Sequence, residues 1–132
     1  MKMQISKILR VSSEQSSDAS VAFQLSGVLS EWLFAIRFWR EFNTAHGTMF
    51  DQFEEDEVDA SIVKLVSTAL AKQIAALRST DMQSVEFVYR RRQDGQPLTA
   101  DTPKAALLSE LTALHDFLNS AAEQNLTLIF DL

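Results

Sequence analysis

The segment that most limits the fold is the run Leu126-Thr127-Leu128-Ile129-Phe130, apolar at four of five positions and introduced by the polar triplet Glu123-Gln124-Asn125. So short a run of Leu, Ile and Phe suits a strand better than a helix. With so little polar alternation it has no face to give to water, so it is expected as a central or parallel strand covered on both faces. The rest of the chain must supply its neighbours. Met3, Ile5, Leu9 and Val11 occupy odd positions with Gln4, Ser6 and Arg10 between them. That is the period of two of a half-buried strand, interrupted at Ile8. Val21, Phe23 and Leu25 alternate again, either as a second strand or as the lead into a helix. Residues 12–20, with five serines and two acids, read as a flexible loop. Ser84 to Arg92 alternates through Val85, Phe87 and Tyr89 and closes on the turn dipeptide Asp94-Gly95.

Helical periods lie between these strands. From Ser26 onward, Val28, Leu29, Trp32, Leu33, Ile36, Trp39 and Phe42 recur at helical spacing up to His46-Gly47. Glycine there suits a left-handed cap, which predicts one helix of about twenty residues. A second helix is predicted over Asp56 to Arg78, with Ile62, Val63, Val66, Leu70, Ile74 and Leu77 on one face and Ser61, Lys64, Thr68 and Lys72 on the other. A third opens at Asp101-Thr102-Pro103, where a capping side chain precedes a proline suited to the first helical position. Its stripe is Leu107, Leu111, Leu114 and Leu118. The expected fold is α+β, a small sheet of about four strands with three helices in the order ββααβαβ, as one domain over residues 1–132.

Composition then removes whole classes of function. The chain has no cysteine, which excludes disulfide scaffolds, thiolate metal sites and thiol nucleophiles. A formal charge of −6 argues against nucleic acid as the partner, because phosphate affinity comes from clustered Lys and Arg. Residues 1–7 carry no apolar run of signal-peptide type, and no stretch of 18 uninterrupted apolar residues occurs, so a cytoplasmic protein with no membrane partner is expected. Gly27, Gly47 and Gly95 are isolated, which leaves no phosphate cradle, and no calcium-loop spacing occurs; neither cofactor nor metal is expected.

Few residues are candidates for chemistry. His46 falls at a helix C-terminus, where the macrodipole favours it as a capping residue. His115 is followed by Asp116, and neighbours on a helix point about 100° apart, so the pair is not expected to form an aligned dyad. No catalytic residue is assigned. Surface features are more distinctive. Asp51, Glu54, Glu55, Asp56, Glu57 and Asp59 place six carboxylates in nine residues. They either complement the N-terminus of the second helix or form a binding surface for a basic partner. On the first helix, Ser30, Glu31, Arg37 and Glu41 mark a polar arc that also contains Phe34 and Phe38. Either a neighbouring element covers those rings, or they anchor an interface. Arg90-Arg91-Arg92 is expected to pair with the acidic run.

The segment from Val85 to the end, with the strand Val85-Glu86-Phe87-Val88-Tyr89, a polar turn, a leucine-rich helix and the terminal Leu126–Phe130 run, resembles the strand-helix-strand end of the barstar-like proteins. That family consists of small, acidic, cytoplasmic inhibitors of toxic nucleases. The long helical middle and the serine-rich segment depart from its pattern, and none of its binding residues carries over. The resemblance implies a class, the acidic bacterial immunity proteins, which block a toxin without chemistry of their own. The expected function is therefore neutralising binding of a basic toxin domain through the acidic run, with Phe34 and Phe38 as further anchors. The alternative is an acidic secretion chaperone or adaptor acting as a homodimer; an enzyme using His46 or His115 ranks third.

Overall fold

A computed structural model of the chain describes residues 3–11 and 19–132. Most of the expected serine-rich loop, residues 12–18, lies outside them. The elements run β1 (Ser6–Val11), β2 (Ala19–Leu25), α1 (Gly27–Ala35), α2 (Phe38–His46), β3 (Glu55–Val58), α3 (Ala60–Arg78), β4 (Ser84–Arg91), β5 (Pro97–Pro103), α4 (Lys104–Glu123) and β6 (Leu128–Asp131). The α+β class holds, and among the described residues four helices and two antiparallel sheets replace the expected three helices and single sheet.

The larger sheet has the order β2-β1-β6-β3, so the C-terminal apolar run is central, paired antiparallel with β1 on one side and β3 on the other. It is not covered on both faces as its composition suggested. Leu128 and Phe130 are buried, whereas Ile129 between them is only half-buried. Directly opposed residues share a face, so the register sets Ile8, Phe130 and Asp56 on the inner face and Leu9, Ile129 and Glu57 on the outer. Phe23 opposite Ile8 completes the inner row.

The single long helix expected over residues 26–46 is two. Ile36 N–H donates to the Trp32 carbonyl and Arg37 N–H to that of Phe34, after which Arg37 takes the left-handed conformation at φ 62° and α2 restarts. The break turns Trp39 and Phe42 onto Phe50 of the following loop, with ring centroids 5.1 and 5.8 Å away, and sets Trp39 edge-on to Phe130 at 5.9 Å. Gly47 ends α2 at φ 71°, as its position predicts. Asn43 fixes the loop beyond: its Nδ2 donates to the Phe50 carbonyl at 2.8 Å, and its Oδ1 accepts from Phe50 N–H and the Thr48 hydroxyl.

The second predicted helix starts four residues late. Asp59 is its N-cap, accepting from Ile62 N–H at 3.1 Å, and residues 55–58 form β3. By length and composition α3 is apolar enough to cross a bilayer. Its stripe of Val63, Val66, Leu70, Ile74 and Leu77 is instead buried, in the manner of a core helix, and α4 is its main packing partner. Residues 97–103, assigned in part to the start of the last helix, pair with β4 as a hairpin closed by Gly95 at φ 85°. That hairpin packs Val85, Phe87 and Thr102 inward, with β4 against α1.

Candidate functional site

The elements around the six acids of residues 51–59 give them different tasks. Glu55 and Glu57 stand on the outer face of β3, both exposed, and Glu55 is directly opposite Asp131. Asp56 points the other way, opposite Phe130; it is half-buried, and its Oδ2 is shut from water without a hydrogen-bond partner. Burial pushes its carboxyl above the usual aspartate range, and the neighbouring Glu54 and Asp51 add to the shift. Asp59 is held below that range, chiefly by the Ser61 hydroxyl donating to it at 2.6 Å, with the α3 cap bond as the next cause. Asp51 and Glu54 lie exposed in the loop before β3.

That loop carries two side chains the sequence reading passed over. Met49 is 81% exposed and Phe53 67%, and Phe53 holds a left-handed backbone at φ 67°. Of the two readings of Phe34 and Phe38, the structure favours rings covered by neighbouring elements. Phe38 is 3% exposed, against Trp39 at 5.0 Å and Phe42 at 6.5 Å, and Phe34 is half-buried against the core. The anchor role expected of Phe38 is corrected: the core, through Trp39 and Phe42, occupies its ring.

The polar arc beside them is internal at Ser30 and Glu31 and exposed at Arg37 and Glu41. Ser30 and Glu31 are both 1% exposed. The Ser30 hydroxyl shares a hydrogen bond with that of Ser6, and Glu31 pairs with Arg90 through both carboxylate oxygens, Arg90 Nη2 lying 3.0 Å from Oε1. Gln52 Nε2 donates to the same Oε1 at 2.7 Å. Arg90 thus serves α1 and not the acidic run with which the arginine triplet was expected to pair; Arg91 and Arg92 are exposed.

The solvent face of the four-stranded sheet is the surface that no single segment announces. Leu9 and Ile129, directly opposed at its centre, are half-buried, and Val21, opposite Leu9 on β2, is exposed, as is Ile5 just before β1. Across β6 this apolar row ends on Glu57, and the next row reads Lys7, Asp131, Glu55. An apolar centre therefore runs into a carboxylate edge. Comparison of the chain with protein-family models, curated proteins and solved structures gives no match. The surface must be read by its chemistry.

The histidines stand apart from this face. His46 ends α2, its ring 4.5 Å from that of Phe42, on a groove of about 410 Å³ between α2 and α3 that also meets Glu41 and Lys72. His115 does meet its neighbour, contrary to the helical-wheel argument: Nδ1 lies 3.0 Å from Asp116 Oδ1 on the exposed side of α4. Among the described residues no three His, Asp or Glu side chains converge as metal ligands.

Proposed function

We propose that the protein is a non-catalytic binding protein of the immunity type, which neutralises a basic protein partner in the cytoplasm by docking it on the outer face of the sheet. The observation that carries this reading is the juxtaposition there of the apolar row Val21, Leu9 and Ile129 with the carboxylates of Glu55, Glu57 and Asp131. An apolar centre with a charged rim is the anatomy of a specific interface, and the rim's excess of carboxylates over Lys7 speeds encounter with a basic partner. Met49 and Phe53, in the loop that leads into β3, are exposed as well.

The test uses the full chain and a Glu55→Gln/Glu57→Gln/Asp131→Asn variant. The wild type is expected to retrieve one basic partner from its host cells as a 1:1 complex and to protect cells that express this partner. The variant, folded by circular dichroism, is expected to associate at least tenfold more slowly at low salt. Equal association rates would overturn the reading.

A second reading, a homodimeric acidic adaptor, draws support from β2, a seven-residue edge strand without a charged side chain. Light scattering coupled to gel filtration separates the two readings: a stable dimer lost on Val21→Lys belongs to the adaptor.

A further inference from the structure

A cleft of about 490 Å³ opens between α2 and the loop that follows it, walled by Phe34, Trp39 and Phe50 and rimmed by Arg37, Arg40 and Asp51. Its size lies within the range of small-ligand sites. Neither arginine forms an ion pair among the described residues, although the chain carries an excess of acids. Asn43, at the same cleft, has its side-chain amide committed to Thr48 and Phe50, so the guanidiniums are the free donors. A guanidinium presents a planar fork that matches a carboxylate. Asp51 on the rim and Glu41 on the other side of the arginines offset part of the guanidinium charge, which penalises a phosphate dianion more than a monoanion. Behind them the half-buried Phe34 and the buried Trp39 and Phe50 give the cleft an apolar wall.

We propose that this cleft binds a small monocarboxylic acid with an apolar body, its carboxylate held by Arg37 and Arg40 and its chain laid against Phe34, Trp39 and Phe50. The site is independent of the outer sheet face and of the partner read there.

The test is a titration of the ¹⁵N-labelled protein, followed by amide shifts, with sodium hexanoate, hexylamine and inorganic phosphate as probes. Hexanoate is expected to move the amides of Arg37, Arg40 and Asp51 saturably. An Arg37→Asn/Arg40→Gln variant is expected to lose at least tenfold in affinity; asparagine tolerates the left-handed backbone at position 37. An Arg78→Gln variant, at the far end of α3, is expected to bind as the wild type does. The assignment falls if hexanoate does not saturate by about 50 mM, far weaker than the millimolar affinity of even a modest site. It also falls if hexylamine binds equally well, or if the double variant, shown to be folded, keeps its affinity. Phosphate binding more tightly than hexanoate would overturn the carboxylic-acid class.

Discussion

Arg90 reaches across from β4 to Glu31 on α1, and the pair shows how a single residue ties the hairpin to the helices. Glu31 is buried with Arg90 and Gln52 as its partners, so removing the guanidinium leaves a charge that water cannot reach. Arg90→Met is expected to cost about 3 kcal/mol in urea unfolding, and Glu31→Leu/Arg90→Met to recover most of that loss, because two apolar groups can replace a buried pair. A double variant no more stable than Arg90→Met alone would contradict this. Asp56 carries the opposite sign of strain. Its carboxyl sits above its ordinary pKa in the fold, so the folded state keeps a proton that the unfolded chain has released. Stability therefore falls as pH rises through that window, and the penalty is complete above the raised value. Asp56→Asn is expected to raise the melting temperature at pH 7, with the gain vanishing below the usual aspartate pKa. Neither role was legible in the sequence. A helical wheel assigns solvent to the polar arc, and Glu31 lies on that arc; nothing local says that a hairpin fifty residues on will cover it.

Among the elements, those with a strong period were legible and those defined by their neighbours were not. The stripes of α3 and α4, the alternation of β4 and the central place of β6 all follow from residue spacing. The break at Arg37 does not, because the apolar positions run through it from Trp32 to Trp39 and no glycine or proline marks it. Its cost is backbone strain, on the order of 1 kcal/mol for a residue with a Cβ in the left-handed region. Arg37→Gly is therefore expected to match or exceed wild-type stability in denaturant unfolding, and Arg37→Val to lose about 1 kcal/mol or more, since β-branching worsens the same clash. If the two variants were equally stable, the break would not be held by backbone conformation. β3 was hidden by its composition: Glu55-Asp56-Glu57 resembles the acidic start of a helix, and an edge strand accepts charge for reasons of its own. β5, bounded by Pro97 and Pro103, likewise reads as a loop, although proline is admissible on an edge.

At the scale of the whole molecule the acidic run acquires a meaning that neither its charge count nor its position predicts. Among the described residues the four-stranded sheet ends in two edge strands of opposite character. β2 is seven residues long and uncharged, whereas β3 is four residues long, with Glu55 and Glu57 on its outer face. Unpaired backbone groups on a sheet edge recruit other strands, and short length with like charge is the usual defence. The acids of β3 thus guard one edge while they border the apolar row proposed to bind a partner, and the two roles separate experimentally. Glu55→Thr/Glu57→Thr keeps β-compatible side chains but removes two of the like charges that repel copies of a chain of charge −6. The variant is expected to show a weight-average mass in static light scattering that rises with concentration more steeply than that of the wild type. Val21→Lys, which puts a charge on the other edge, is expected to flatten the same curve. If the Thr variant and the wild type trace one curve, the carboxylates of β3 guard nothing, and the outer-face role alone would account for them.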